Sequence, residues 1–423
     1  MPSRSRSARR RPWAAAAAVA VGGCLLAGCT SAQAPAPVPA PPAATAPLAT
    51  SLAQAGGRAW AIVAMGGSAA DDNSFWEVFT RPVGSSQWAL VTPPGVADNG
   101  GLVAAVPPAA QGLDVAVRPS QDLTFSPLAL TGNGGRTWDT GLVDASVAAV
   151  PDALALGGGR MLVLLGDGAI DQAVTSGAGI PGEGVSGAAQ PSAPASAAWT
   201  RLAAPGAIAG SAAGRDCHVT ALTAVSLTAA GTPLVGASCA RPGVAGIFTP
   251  AGAGWQAAGP ALSGKLAAQP VKVLRLTAGD GAGTMALLQS GASDGGPASL
   301  LAAWTADGTH WTLSPPLPLN GAQVLSSGAG PGATAAWVLL SGGRAATIAE
   351  PTAPSTPSAS SAAWRPLPAP PHGTAVLAPG PGGALDALAV SGGSALTVFR
   401  LTPAGAWQQT QVISVPVQLG SSS

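Results

Sequence analysis

The sequence predicts an all-β protein that is assembled from repeats of one small antiparallel unit. Short apolar or alternating stretches such as "RAWAIVAM", "FWEVFTR" and "SALTVFRL" are separated by glycine-rich turns, a pattern typical of β-strands. Tryptophan recurs at intervals near 50 residues, each time after a polar or glycine turn and at the start of a short strand-like stretch. The last repeat holds four such stretches in about 45 residues, which is the size of one four-stranded β-propeller blade.

The repeated tryptophans set the number of units. A four-stranded unit cannot bury both of its faces alone, whereas a closed ring of units can, so the repeat predicts a β-propeller over residues 49–418 with a short tail at 419–423. Seven blades are expected, and six or eight would also fit the pattern. The seven tryptophans are Trp88, Trp138, Trp199, Trp255, Trp311, Trp364 and Trp407, with spacings of 50, 61, 56, 56, 53 and 43 residues.

Two tracts lengthen the repeat where they occur. Residues 175–197 and 350–362 are rich in proline, serine, alanine and glycine, and each tract precedes a repeat tryptophan. Such segments bury too little apolar surface to fold alone. We expect disordered loops, inserted at the same turn of two different blades.

The N-terminus predicts export and a lipid anchor. Five arginines between positions 4 and 11 precede an apolar run, the order found in secretory signals. The run is about 14 residues long, short of the roughly 20 that a spanning helix needs. Residues 26–29, "LAGC", resemble the lipobox of bacterial lipoproteins, which implies cleavage after residue 28 and acylation of Cys29. The tract 29–48 reads as a Pro/Ala linker that holds the folded part off the membrane. The expected location is the extracytoplasmic side of the cell membrane, and the export route, general secretory or twin-arginine, stays open.

The net charge of the chain limits the classes of partner that we expect. Loss of residues 1–28 removes five arginines and no acids, so 19 − 5 = 14 basic groups face 18 acidic ones and the net charge is −4. That balance disfavours a nucleic-acid partner.

Cys217 and Cys239 flank a turn centred on Thr228, at which a hairpin would place them on opposite strands. An exported chain meets an oxidising environment, so we predict a disulfide between them, with two free buried thiols as the alternative.

Two turns before repeat tryptophans resemble the Asp-box, the bacterial neuraminidase repeat of sialidase-like propellers. "TGNGGRTW" has asparagine where the box has aspartate, and "TADGTHW" has histidine where the box has threonine. The resemblance implies turns between the third and fourth strands, away from the functional face, and hence a structural role. The matching residues are Thr131, Asn133, Gly135, Thr137 and Trp138 in the first turn, and Thr305, Asp307, Gly308 and Trp311 in the second.

The same resemblance raises the possibility of glycan hydrolysis, which the residue content disfavours. A sialidase uses a tyrosine nucleophile, and the chain contains no tyrosine. The only glutamates are Glu77, Glu183 and Glu350, too scattered to suggest the facing carboxylates of a glycosidase. The three histidines lack metal-ligand spacing. Acidic turns at 71–73 and 167–171 could ligate calcium, but plain turns are preferred. We therefore predict no catalytic residues, no metal and no cofactor.

Four further tryptophans lie in apolar stretches, and we expect them in the core. Trp76 with Phe75 and Phe79 is the densest aromatic group and the first place to look for a binding surface. The leading hypothesis is a lipid-anchored propeller that acts as a binding or scaffolding module for a protein or an envelope glycan. The alternative is an envelope glycan hydrolase or lyase that resembles sialidases in fold only. The four tryptophans are Trp60, Trp76, Trp304 and Trp337.

Overall fold

The computed structural model describes most of the predicted propeller. The described residues are 50–51, 58–65, 75–93, 103–105, 114–117, 124–175, 199–228, 230–279, 283–291, 297–350, 363–392 and 394–416. The predicted signal segment, Cys29, the linker and the tail lie outside these ranges, as do residues 176–198 and 351–362. Within the described ranges, no helix is both long enough and apolar enough to cross a membrane.

The described strands fall into seven four-stranded antiparallel units that follow one another along the chain. We number the units 1 to 7 and call the strands of each A to D, from the first to the fourth.

Units 1 to 3 form separate sheets. Unit 1 comprises β1 (Thr50–Ser51), β2 (Ala59–Met65), β3 (Phe75–Arg81) and β4 (Ala89–Leu90). Unit 2 comprises β5 (Val103–Ala105), β6 (Asp114–Val117), β7 (Ser126–Thr131) and β8 (Asp139–Val143). Unit 3 comprises β9 (Leu154–Gly157), β10 (Arg160–Leu164), β11 (Ile170–Val174) and β12 (Thr200–Ala203).

Units 4 and 5 are joined into one sheet, because Ser238 and Cys239 on β14 pair with Lys272 and Val271 on β17. Unit 4 comprises β13 (Val219–Leu227), β14 (Pro233–Cys239), β15 (Gly246–Ala251) and β16 (Gly254–Ala257). Unit 5 comprises β17 (Val271–Ala278), β18 (Thr284–Ser290), β19 (Ser299–Thr305) and β20 (Trp311–Leu313), and β21 (Leu317–Pro318) also pairs with β19.

Units 6 and 7 again form separate sheets. Unit 6 comprises β22 (Val324–Ala329), β23 (Ala335–Leu340), β24 (Arg344–Ala349) and β25 (Arg365–Pro366). Unit 7 comprises β26 (Thr374–Pro379), β27 (Leu385–Ser391), β28 (Ala395–Leu401) and β29 (Trp407–Ser414). The described helices are α1 (Ala212–Cys217) and three 3₁₀ turns at Gly264–Ala268, Pro331–Ala333 and Pro381–Gly383.

Buried apolar clusters between neighbouring units close the ring. Units 1 to 4 share one large cluster, and further clusters join unit 4 to 5, 5 to 6 and 6 to 7. Phe79 and Val398 belong to the cluster that joins the first unit to the last. Because inner strands are covered on both faces, β2 is apolar along its whole length, whereas the outer strand β29 contains only half-buried and exposed residues. The β-propeller prediction is confirmed.

Antiparallel order places the A–B and C–D turns of every unit on one face of the ring, which we call the A–B/C–D face. The predicted inserts both connect strand C to strand D, from β11 to β12 in unit 3 and from β24 to β25 in unit 6. Both box-like turns are C–D turns as well, in units 2 and 5.

The disulfide between Cys217 and Cys239 is present, with the two Cα atoms 5.1 Å apart. Its predicted position on facing strands is wrong. Two bulges shift the β13–β14 register so that Cys239 faces Val219, and Cys217 ends helix α1 two residues before β13. The helix forms because the Ser211 hydroxyl caps the amide of Gly214 at 3.0 Å, and it ends at His218 in a left-handed conformation.

The non-repeat tryptophans lie in the core, as expected. Trp60, Trp76, Trp304 and Trp337 are all at most 3% exposed. The idea that Trp76 and its neighbours form a binding surface is wrong, since Phe79 is also fully buried and Phe75 packs against the cluster that joins units 1 and 7.

Candidate functional site

The repeat tryptophans link each unit to the one before it. Each lies at or next to the start of strand D, and the indole N–H of five of the seven donates to a backbone carbonyl in or just after strand D of the preceding unit. Trp255 packs against the cluster shared by units 1 to 4. These residues therefore hold the ring together and are not a ligand surface. The five bonds run from Trp138 to Val91 (2.9 Å), Trp199 to Leu142 (3.2 Å), Trp311 to Ala258 (2.7 Å), Trp364 to Pro315 (3.1 Å) and Trp407 to Pro368 (3.1 Å).

The turn that contains Asn133 is held by its own side chains. The hydroxyl of Thr131 accepts from the amide of Gly135 at 3.0 Å, and Oδ1 of Asn133 accepts from the amide of Thr137 at 3.0 Å. Gly135 has a φ of 84°, which favours glycine, and Val91 lies where its Cβ would be. Asn133 and Gly135 thus shape the turn.

The turn that contains Asp307 uses an ionised group in the same place. Oδ1 of Asp307 accepts from the amides of Thr309 and His310 at 2.8 and 2.7 Å, and the Thr305 hydroxyl accepts from Gly308 at 2.9 Å. His310 Nδ1 lies 2.6 Å from the other carboxylate oxygen. The amide and side chain of His310 hold the pKa of Asp307 well below its usual range, and Asp307 raises the pKa of His310. Both oxygens of this carboxylate are engaged within the turn.

A buried ion pair links strand A of unit 5 to Asp152, which lies two residues before strand A of unit 3. Nε of Arg275 on β17 donates to both carboxylate oxygens of Asp152, at 2.9 and 3.0 Å. The amide of Leu276 adds a bond of 2.8 Å to the same carboxylate, and the Asp152 carbonyl accepts from Val225 on β13. The pair joins units 3, 4 and 5. One positive and one negative charge face each other here, so this is a structural contact.

Three further acidic residues named from the sequence have local partners. Glu77 on β3 accepts a hydrogen bond from the Thr92 hydroxyl, and burial raises its pKa. Asp167 caps its own turn at Ala169, and Asp171 pairs with Arg201. Residues 71–73 lie outside the described ranges. Among the described residues, no group of three or more His, Cys, Asp or Glu side chains is placed to hold a metal ion.

A cleft of about 560 Å³ opens where units 1, 6 and 7 meet. Its walls are the C–D turn of unit 1 (84–86), the A–B turn of unit 6 with Trp337 and Thr347, and the A–B turn of unit 7 (379–385). All three turns lie on the A–B/C–D face, which also carries both box-like turns, whereas the Asp-box resemblance implied that those turns lie away from the functional face. The cleft has the size of an ordinary small-ligand site.

Asp386 organises the buried charges behind this cleft. It is fully buried at the start of β27. Arg400 donates to both its oxygens, at 2.8 and 3.0 Å, and the indole N–H of Trp88 adds a bond of 2.9 Å. Gly380 lies so near that a Cβ there would be 2.7 Å from Oδ1 of Asp386. This corner of the cleft therefore has no space for a larger residue at position 380.

Arg81 is the ionisable residue among the described cleft-lining residues. It is 2% exposed, and its terminal nitrogens donate to the carbonyls of Ser85 at 3.1 Å and Pro379 at 3.3 Å. Its buried Nε has no hydrogen-bond partner in the described part of the chain. Burial lowers the pKa of Arg81, Asp386 raises it and Arg400 lowers it. The guanidinium remains protonated at neutral pH.

Sequence reasoning missed this group of residues, although two signals were available. Arg81 and Arg400 each stand seven positions before a repeat tryptophan, at the end of strand C. Asp386 is the single charge in the apolar stretch "ALDALAV". A charge in a buried strand requires a partner. Arg400 lies in the same unit as Asp386, but the sequence could not show that Trp88 and Arg81 approach Asp386 from the first unit.

No family model matches the sequence, and no curated protein matches it. Among solved structures, the chain is similar to the GH74 xyloglucanase from Xanthomonas campestris, with a TM-score of 0.51 and 16% identity over 87% of this chain and 54% of that one. The chain thus spans about half the length of that enzyme. The likeness concerns the fold.

Two further solved structures are similar with lower scores. The β-propeller domain of Cps50 (Swd1) from Myceliophteria thermophila has a TM-score of 0.46 and 11% identity, over 75% of this chain and 90% of that one. The fucose-specific lectin from Aleuria aurantia has a TM-score of 0.38 and 12% identity, over 75% of this chain and 97% of that one.

Proposed function

We propose that the protein is a lipid-anchored binding module on the extracytoplasmic side of the membrane, with an envelope glycan or a protein as its ligand. The cleft between units 1, 6 and 7 carries the proposal. Its walls are turns and strand ends of the ring, and its ionisable group among the described lining residues is an arginine, which cannot act as a proton acceptor at neutral pH. Such a cleft suits binding better than acid–base chemistry.

Ligand binding is tested with the detergent-solubilised full-length protein on a glycan array and by crosslinking in cells. Ala384→Trp would fill the cleft, because Ala384 is one of its lining residues. Ala253→Trp is the matched control, since Ala253 is an exposed C–D turn residue of unit 4 on the same face. We expect binding that Ala384→Trp abolishes and Ala253→Trp preserves. Equal binding by both variants would contradict the assignment of the cleft.

The anchor is tested by cell fractionation. Acylation of Cys29 would add a hydrocarbon chain that partitions into the bilayer. Cys29→Ala should move the protein from the membrane to the soluble fraction, whereas Cys24→Ala, which alters the other cysteine of the signal segment, should leave it in the membrane. A Cys29→Ala variant that stays in the membrane fraction would refute the anchor.

A further inference from the structure

Among the described residues, the buried charges behind the cleft are unbalanced. Arg81 and Arg400 carry two positive charges and Asp386 carries one negative charge. In the buried ion pair between Asp152 and Arg275, both carboxylate oxygens of Asp152 accept hydrogen bonds from the arginine. Here both oxygens of Asp386 are taken by Arg400 and Trp88, and Arg81 is left with backbone carbonyls. A buried charge in such surroundings favours an anionic partner.

The guanidinium of Arg81 also has unused donors. An arginine carries five N–H groups. Two terminal nitrogens each make one bond, to Ser85 and Pro379, and Nε makes none within the described residues. Arg81 is buried beside the cleft that it lines, and a planar guanidinium whose N–H donors are not all accepted by described residues matches the two oxygens of a carboxylate.

The shape of the cleft favours a compact ligand over an extended peptide. Its described lining residues come from turns and from strands A, B and C, and none belongs to an outer strand D. A peptide therefore finds no free strand edge to pair with. The exposed Ser86 hydroxyl and the backbone of the glycine-rich turn at 380–384 offer polar groups that sugar hydroxyls can bond. The other two hydroxyls of the lining donate within the chain, Ser85 to Gln87 and Thr347 to Ala336.

We infer that this cleft binds a carboxylate-bearing sugar, a uronic acid unit of an envelope glycan, with Arg81 as the counter-ion of the carboxylate. The inference rests on the binding function proposed above and specifies its ligand class.

The first test compares acidic and neutral sugars by calorimetric titration of the solubilised full-length protein. The probes are a disaccharide that ends in a uronic acid and its counterpart in which a CH₂OH group replaces the carboxylate. A charge-assisted hydrogen bond is strong enough to make the acidic sugar bind about tenfold to a hundredfold more tightly. Equal affinity for the two sugars would overturn the inference.

The second test changes the charge at the mouth of the cleft. Ser86 is exposed and lines the cleft. Ser86→Glu places a competing carboxylate near Arg81 and should weaken uronate binding about tenfold, whereas Ser86→Lys should preserve or strengthen it. Both side chains are exposed, so neither variant disturbs the core. The same affinity in both variants would contradict a role for charge.

The third test removes the guanidinium. Arg81→Gln should abolish the preference for the acidic sugar, while Arg136→Gln should keep it, since Arg136 is an exposed arginine in the C–D turn of unit 2. Melting temperatures of both variants report their folding, and the Ser86 variants decide the matter if Arg81→Gln does not fold. Retained discrimination in folded Arg81→Gln would contradict the assignment of Arg81.

The tests separate the two proposals. Binding that depends on the cleft but does not distinguish acidic from neutral sugars refutes the uronate inference and keeps the binding function. An N-acetylated dipeptide with a free C-terminal carboxylate serves as a competitor. If it displaces the uronate and binds more tightly, the ligand is a peptide and the glycan assignment is wrong.

Discussion

Nε1 of Trp88 in the first unit donates to Oδ2 of Asp386 in the last unit, at 2.9 Å. The backbone amide and carbonyl of Trp88 also bond to the side chain of Gln411, each at 2.8 Å. At this junction the repeat tryptophan bonds a carboxylate, whereas five others bond a backbone carbonyl. The first and last units are thereby joined through side chains.

Removal of Asp386 should destabilise the ring more than the loss of one hydrogen bond. Asp386→Ala leaves Arg81 and Arg400 without their buried carboxylate, and breaking a buried pair in this way costs about 3–5 kcal/mol. Trp88→Phe keeps the ion pair and should cost about 1–3 kcal/mol, because one carboxylate oxygen loses a donor. Urea unfolding monitored by circular dichroism measures both. A smaller loss for Asp386→Ala than for Trp88→Phe would show that the buried carboxylate does not stabilise this junction.

The repeat tryptophans predict graded losses of stability. The bond from Trp311 to Ala258 is short and partly buried, whereas the bond from Trp364 to Pro315 is exposed. Phenylalanine at either position removes the N–H donor and keeps most of the ring. Trp311→Phe should lower the free energy of unfolding by about 1 kcal/mol, and Trp364→Phe by less. The reverse order would show that ring packing, and not the hydrogen bond, sets the effect.

The disulfide predicts a double-mutant effect. The bridged residues are 22 positions apart, and a loop of that size is worth about 3 kcal/mol in the chain-entropy account. Cys217→Ala with Cys239→Ala should lower stability by roughly that amount. A Cβ at Gly246 would lie 2.7 Å from Sγ of Cys239. Gly246→Ala should therefore destabilise the oxidised protein more than it destabilises the variant without cysteines.

Thermal unfolding of the four variants checks this coupling. If Gly246→Ala costs the same in both backgrounds, the sulfur contact does not limit residue size at position 246.

The fold could be predicted from the sequence because every unit of the repeat has the same local sequence patterns. Apolar strands, glycine turns and a periodic tryptophan each reflect a requirement of one unit, and together they predicted the propeller and the Cys217–Cys239 bond. The details that failed depend on register. A helix before β13 and two bulges, neither visible as periodicity, moved Cys217 off the strand.

The candidate site could not be predicted in the same way. Arg81 and Asp386 are 305 positions apart and meet only because the ring closes. Trp76 was considered as a binding residue because aromatic residues cluster around it, yet an apolar strand that is covered on both faces produces the same cluster in the core.

Replacing the Glu77 carboxylate with a neutral side chain should stabilise the fold at neutral pH. Burial raises its pKa above the ordinary value, so ionisation costs more in the folded chain than in the unfolded one. The favourable contribution of the neutral acid is present below the unfolded pKa and is lost as the pH rises through the folded pKa. Glu77→Gln keeps an acceptor for the Thr92 hydroxyl and should raise the melting temperature at pH 7.

The gain from Glu77→Gln should vanish at pH values below about 4, where the wild-type carboxyl is protonated in both states. Melting curves between pH 3.5 and 8 measure it. Thr92→Val, which removes the hydroxyl donor, should lower stability at pH 7. A gain from Glu77→Gln that is independent of pH would show that its cause is not the ionisation of Glu77.

The Asp307–His310 pair predicts a pH-dependent turn. Asp307 raises the pKa of His310, so the favourable contribution of the imidazolium is fully present below the unfolded pKa near 6.5 and is lost as the pH rises through the folded pKa. Asp307→Asn should lower the pKa of His310 and leave the turn intact, because Asn133 accepts the corresponding backbone bond in the other turn. Chemical shifts of the His310 ring, followed from pH 5 to 9, measure the pKa in both proteins. An unchanged pKa of His310 would mean that the carboxylate does not stabilise the imidazolium. Loss of the turn in Asp307→Asn would mean that position 307 requires a charged side chain, although the neutral Asn133 is sufficient in the other turn.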